Sequence, residues 1–310
     1  MYFLTMEERQ YLIKGLLPKS REIPVSNELR GWNWNQPPLA SSYEIKLALS
    51  EVASKFCSTG RDLYLKRVLG EKASPNILMI EGLILHDVLA KIFIKAKKLI
   101  YTLGVSQFFS IIEELSKIDY SIDEKWKKSL EKQDLAKIEK EIRIIWDFEH
   151  RSITSRLQET LAKQPYISED SLAYLALPLV LEQRLDGSFL GLSHHLSTDA
   201  FVFMEPMILD VKFGGAKDFY RLSTTGYALV MESLYEYPVN LGCLIYPKFL
   251  EDGRLVIDKD FHIIDDELRQ WFIEERDEKM RMIFDEFDPG KPDKCWEFCH
   301  YKEKCLYYGE

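Results

Sequence analysis

The sequence lacks any long hydrophobic run, any excess of basic residues and the cysteine density that stitches small secreted domains together. No stretch approaches the roughly 18 uninterrupted apolar residues that cross a bilayer. The opening Met-Tyr-Phe-Leu-Thr-Met-Glu-Glu-Arg has no basic-then-apolar signal pattern. The expectation is a soluble, cytoplasmic chain with no membrane partner. Lys and Arg number 41 against 50 Asp and Glu, for a formal charge of −9. Binding that coats nucleic acid by bulk attraction is thereby excluded, because it needs a basic surface to displace counterions. A single cleft in which metal ions and a few Lys and Arg side chains concentrate positive potential is not excluded.

Five cysteines in 310 residues cannot form a disulfide framework, and the odd count leaves one thiol over. Their placement is more telling. Cys57 stands alone near the front, while Cys295, Cys299 and Cys305 crowd the end as C-x3-C-x5-C. Three thiols do not complete a four-thiolate site, and Cys57 supplies the fourth if the two ends of the chain meet. A metal centre clasping the fold is expected, as zinc or as an iron–sulfur cluster. Cys243, within Val-Asn-Leu-Gly-Cys-Leu-Ile-Tyr, reads as a small core residue.

With 46% hydrophobic residues the chain supports a real buried core. Residues 1–42 contain Gly-Trp-Asn-Trp-Asn-Gln-Pro-Pro, in which Pro and Asn block regular helix, so this segment reads as an extended arm. Trp32 and Trp34 either pack on the body or stack on a partner. Residues 43–165 are strongly helical: Leu135, Ile138, Ile142, Ile145 and Phe148 recur at three- and four-residue spacing, and Asp123 to Arg156 reads as one long amphipathic helix.

Residues 166–264 shift toward strands, at Leu177–Leu185, Leu196–Met204, Met207–Phe213, Val239–Tyr246 and Leu255–Ile264, with a helix over Asp218–Tyr235. Residues 265–310 hold a last helix, to about Phe287, and the cysteine loop. The fold class is α/β, a mixed sheet flanked by helices with the first half of the chain added as a helical layer.

Chemistry concentrates in Ile208-Leu209-Asp210-Val211-Lys212. Alternate strand residues share a face, so Asp210 and Lys212 stand side by side about 7 Å apart along the backbone. A carboxylate that holds a divalent cation, with an ammonium that orients or activates water and offsets phosphate charge, suits phosphodiester hydrolysis. Asp199, in Ser-Thr-Asp199, falls on the preceding strand and faces the same cation if a tight turn at Glu205-Pro206 makes the two antiparallel. Oxygen ligands select Mg²⁺ or Mn²⁺. His86, which interrupts the apolar face of Glu-Gly-Leu-Ile-Leu-His, is a third ligand candidate, and Glu182 a fourth.

This order of residues, with one early and three terminal cysteines, resembles the RecB-like branch of the PD-(D/E)XK nucleases that carry an iron–sulfur cluster. Within it the chain is similar to the CRISPR-associated exonucleases of the fourth Cas family, archaeal type I-A Csa subfamily, over roughly Phe56 to Cys305. The resemblance implies a restriction-endonuclease-like core with a large N-terminal helical region and a C-terminal cluster loop. It implies a [4Fe–4S] cluster on Cys57, Cys295, Cys299 and Cys305, and Mg²⁺ or Mn²⁺ on His86, Asp199, Asp210 and the Val211 carbonyl.

The resemblance further implies assistance from Lys212 and Tyr227, a substrate of single-stranded or overhanging DNA, and work beside the Cas integrase proteins in spacer acquisition. Tyr227 matches the family's Gln-x-x-x-Tyr motif, but Ser223 stands in place of its Gln. That departure and the acidic charge support a competing reading, a non-catalytic DNA- or protein-binding component of the adaptation complex. Arg221 is the phosphate contact expected to stand in for the glutamine. A redox carrier has no support, because no flavin or nicotinamide motif and no second cluster is present.

Overall fold

The computed structural model describes residues 1–202 and 206–308. Residues 1–42 are not an extended arm. Thr5 opens α1 (Met6–Tyr11) with a reciprocal cap, its hydroxyl accepting from the Glu8 N–H while the Glu8 carboxylate takes the Thr5 N–H. A π-helical stretch over Leu12–Leu16 runs without a break into α2 (Leu17–Glu22), with Pro18 just after it. Short 3-10 turns follow at Asn27–Leu29 and Gly31–Asn33. The helix-blocking residues lie near Asn35–Pro38, and the segment before them is free to coil.

Leu12, Leu29 and Leu39 anchor this segment in the core. Trp34 stacks on Phe189 with centroids 4.4 Å apart, and Trp32 takes the Arg30 guanidinium over its face at 5.3 Å. Both indoles are thus covered by the protein itself.

The helical layer comprises α3 (Leu49–Ala53), α4 (Arg61–Arg67), α5 (Ile77–Leu103), α6 (Phe108–Ser116), α7 (Glu124–Ser129), α8 (Lys132–Lys163) and α9 (Glu169–Ala176). The single helix expected from Asp123 is divided. Asp123 caps α7, accepting from the Lys125 N–H, and extended backbone at Leu130 ends it before α8 begins. Leu130 packs against the core, which accounts for the inward bend. Ile84, Leu85, Val88, Leu89 and Ile92 of α5 meet Ile138, Ile142, Ile145 and Trp146 of α8 in one buried cluster. Each such side chain contributes about 1.5–3 kcal/mol of burial.

Beyond it lie β1 (Val180–Leu185), β2 (Leu196–Val202), β3 (Met207–Val211), α10 (Arg221–Tyr235), β4 (Leu241–Phe249), β5 (Leu255–Ile263), α11 (Asp266–Phe284) and α12 (Lys302–Tyr307). The expected ends of the second strand, Phe203 and Met204, and the turn residue Glu205 lie outside the described residues. Among the described residues the sheet runs β1-β2-β3-β4-β5, antiparallel except for β3 and β4, which are parallel and joined through α10. This is the mixed α/β arrangement expected.

Alternation divides the sheet between two layers. Leu209, Val211, Cys243 and Ile245 join the cluster of α5 and α8, while Phe201 and Ile208 join that of α3, α10 and α11. Cys243 is the core residue expected, and burial pushes its thiol up.

Glu232 of α10 closes the second layer. Its carboxylate accepts from Arg30, Arg269 and the backbone N–H groups of Gly31 and Val239. The backbones approach so closely here that a Cβ on Gly31 would fall 2.1 Å from the Leu229 carbonyl oxygen. Only glycine fits there.

Candidate active site

Three carboxylates form one row across the first three strands. Leu181 pairs with Ala200 and Gln183 with Thr198, which sets Glu182 opposite Asp199. Ala200 pairs with Leu209, which carries the register on to set Asp199 opposite Asp210. All three therefore share the face that also bears Lys212. Glu182 holds a left-handed backbone, φ 49°, which a non-glycine strand residue adopts only where its surroundings impose it. Its carboxylate accepts from Ser197 Oγ at 3.1 Å.

His86, on the α5 face turned toward the sheet, places Nδ1 3.3 Å from Asp199 Oδ2, and its ring stands edge-on to Phe213 at 5.2 Å. The same Asp199 oxygen accepts the Val211 N–H at 2.8 Å. Burial works against the charge on both partners. Mutual attraction outweighs it, so the His86 pKa rises above its ordinary value and that of Asp199 falls below its own, helped by the Val211 N–H.

Asp210 is buried, and Lys212 Nζ lies 2.8 Å from its Oδ2. The contact is an ion pair without hydrogen-bond alignment, and Oδ2 has no directed donor. Burial, with Asp199 adding to it, pushes the Asp210 carboxyl up to about 6 despite Lys212. For Lys212 the balance runs the other way: burial disfavours the ammonium, Asp210 outweighs it, and the amine stays charged. Lys212 is therefore placed beside Asp210 as a donor and a source of positive charge.

Two carboxylates beside an imidazole, one of them buried with only Lys212 against its Oδ2, offer oxygen donors of the kind that hard divalent cations prefer. Among the described residues no three His, Cys, Asp or Glu side chains yet close on one point. Lys212 N–H donates to the Ile245 carbonyl of β4, so alternation turns the Val211 carbonyl the other way, toward β2 and Asp199.

His86, Glu182, Asp199, Asp210, Lys212, Ser223 and Tyr227 line one open groove of ≈ 540 Å³. The Tyr227 hydroxyl donates to the Ser197 carbonyl at 2.5 Å, holding α10 against the strand that carries Asp199. Burial, with the site carboxylates adding to it, drives its phenol well above the ordinary range, so it stays neutral. Arg221 is not a free phosphate ligand, since it forms a two-pronged pair with Asp260 of β5, both bonds 2.9 Å. That partner comes from a strand whose register the sequence does not reveal.

The chain ends do meet. Cys57, Cys295 and Cys299 line one cavity of ≈ 60 Å³, together with Phe56, Asp62, Trp296 and His300. Burial pushes the Cys299 thiol up to about 11. Cys305 lies on α12 with its sulfur 3.4 Å from Arg61 Nη1, and Arg61 in turn grips Asp288 at 2.8 and 2.9 Å. Three thiols thus line one cavity without closing on a common point, and Cys305 is held apart from them by Arg61.

The family model for the CRISPR-associated exonuclease Csa1 matches residues 1–307. The chain belongs to the Csa1 family. It is 29% identical over 316 residues to a CRISPR-associated exonuclease Csa1 of Saccharolobus solfataricus, covering 98% of this chain and 99% of that relative. A second relative of the same description, from Thermoproteus tenax, is 29% identical over 302 residues, covering 97% and 99%. No solved structure matches.

In this Csa1-family chain the groove also takes Asp87, Lys91 and Ser50. Asp87 directly follows His86 and is paired with Lys91 at 3.1 Å one helical turn on, a spacing readable in advance. Tyr220, whose ring lies under Lys212 Nζ at 5.3 Å, had no sequence signal beyond its aromatic character.

Among the described residues no helix is long and apolar enough to cross a membrane.

Proposed function

We propose that the chain is a divalent-metal-dependent deoxyribonuclease with a restriction-endonuclease-like core. It trims single-stranded or overhanging DNA during CRISPR spacer acquisition, beside the Cas integrase proteins. The observation that carries this reading is the aligned row Glu182, Asp199 and Asp210, with His86 on one side and Lys212 on the other.

His86, Asp199, Asp210 and the Val211 carbonyl would hold Mg²⁺ or Mn²⁺. When bound, the cation supplies positive charge against the scissile phosphate and favours deprotonation of the attacking water. Lys212 donates to that water or to a phosphate oxygen and offsets charge as it grows. Asp210 must be ionised to serve as a ligand. Tyr227 positions β2 by its bond to Ser197.

Cys57, Cys295, Cys299 and Cys305 would hold a [4Fe–4S] cluster, a structural clasp whose binding energy is coupled to closing the chain.

Ser223, buried in the first turn of α10 where the family carries Gln, favours a second reading, a scaffold that binds DNA or partners without cutting. Anaerobically purified protein with end-labelled single strands, overhang duplexes and Mg²⁺ or Mn²⁺ tests both. Release of terminal nucleotides dependent on the cation is expected. Binding of overhangs with no release under either cation establishes the non-catalytic role instead.

A further inference from the structure

A second groove, of ≈ 340 Å³, adjoins the first and shares Ser50, Lys212 and Ser223 with it. Its far end reaches Phe56, Asp62, Trp296 and His300, which also line the cysteine cavity. One continuous surface therefore leads from the carboxylate row to the cysteine loop.

Aromatic rings pave that route. From Lys212 the path passes Tyr220, then Phe219, 5.0 Å from it, then Phe56 at 5.1 Å. Phe56 is stacked on Trp296 at 4.4 Å and 23°, and Trp296 meets Phe298 at 5.7 Å. Phe298 is 43% exposed, and Phe56 and Trp296 are half-buried, so the outer rings keep open edges and faces. The ammonium groups along the groove are already engaged: Lys66 is paired with Glu51 at 2.7 Å and Lys212 with Asp210 at 2.8 Å, and Lys279 donates to the Val52 and Ser54 carbonyls at 2.8 and 2.9 Å, while Asp62 lies close by. Such a surface has little to offer a phosphate backbone and much to offer unpaired bases, whose stacking on aromatic side chains tolerates any sequence. A duplex conceals those faces.

We propose that the Phe56–Trp296–Phe298 row is a base-stacking platform for the single strand whose end enters the Asp210 and Lys212 site. This rests on the deoxyribonuclease reading and adds the substrate's path. Phe56 precedes Cys57 and Trp296 follows Cys295, so the cysteine loop sets the platform's position.

The test measures anisotropy of a fluorescent oligothymidylate of about 12 nucleotides and of its abasic counterpart, which keeps the phosphates and lacks bases. The full-length Asp210→Asn protein is compared with the same protein also carrying Trp296→Ala or Phe298→Ala. Iron and sulfide content is checked in each.

With iron retained, loss of a stacking ring weakens oligothymidylate binding about 10- to 100-fold, leaves abasic binding unchanged, and is largely restored by Trp296→Phe. Affinity equal to that of Asp210→Asn in both alanine variants overturns the platform, as does an equal loss on the abasic strand. Where Trp296→Ala loses iron, Phe298→Ala, the exposed ring against Trp296, decides. Anisotropy is read without divalent cation, so cleavage persisting in Asp210→Asn with Mn²⁺ defeats the catalytic reading and leaves the binding comparison intact.

Discussion

Asp199 Oδ2 receives both the Val211 N–H, at 2.8 Å, and the His86 ring, at 3.3 Å, so one oxygen of this carboxylate ties the helical layer to the end of β3. The other oxygen takes neither contact. Asp210, set opposite Asp199 by the strand register, contributes a buried oxygen with no directed donor. The two acids thus differ in contact: Asp199 is held by β3 and α5, and Asp210 is held by Lys212.

Asp210→Asn is expected to lower Mn²⁺-supported release of nucleotides from an end-labelled single strand by at least about 100-fold, the scale of removing a group that stabilises transition-state charge. Iron content should stay at the wild-type level, because the cysteine cavity does not include Asp210. Digestion at the wild-type rate would remove Asp210 from the mechanism.

Cation affinity should depend on pH through the same residue. The Asp210 carboxyl is pushed up to about 6, chiefly by burial, and a proton and a divalent ion compete for it. Affinity falls by up to about tenfold per unit as pH drops through that value, and the His86 imidazole, held above its ordinary pKa by Asp199, must also lose its proton, which extends the fall to higher pH. Calorimetric titration of Mn²⁺ at pH 8, 6.5 and 5 reads the trend. A flat profile would show that the ion does not engage Asp210.

Much of this site was legible because it lies on local pattern. The apolar runs around Asp199 and Asp210 place both on strands, the short segment between them implies an antiparallel pair, and the three terminal cysteines point to a partner far away. What stayed hidden depends on long-range contact. The pairing of Arg221 with Asp260 needs the β4–β5 register, and the stacking of Phe56 on Trp296 needs both ends of the chain in place. The division between α7 and α8 turns on the inward side chain of Leu130, which charge alternation along the segment masks.

Loss of a cysteine should act beyond its own loop. Cys57→Ser removes a wall of the cavity shared with Cys295 and Cys299, and it adjoins Phe56, which stacks on Trp296. Iron content is expected to fall sharply and the segment from Asp288 to Cys305 to become sensitive to limited proteolysis. Mass mapping of the first cuts checks this. Retention of full iron with an unchanged cleavage pattern would assign Cys57 no part in the clasp.

Glu232 supplies the severest stability test, because it and Arg269 are both fully buried and ion-paired at 2.8 Å. Glu232→Ala strands the Arg269 guanidinium and weakens the hold on Arg30, while the N–H groups of Gly31 and Val239 lose their acceptor. Removing one member of a buried ion pair costs about 3–5 kcal/mol, since the remaining charge stays desolvated. Urea or thermal unfolding should show a loss on that scale. Glu232→Gln keeps an acceptor for the two N–H groups and should lie between wild type and Ala. A change under about 0.5 kcal/mol in Glu232→Ala, the size of an ordinary surface substitution, would mean that α10, α11 and the N-terminal segment are held by apolar packing alone.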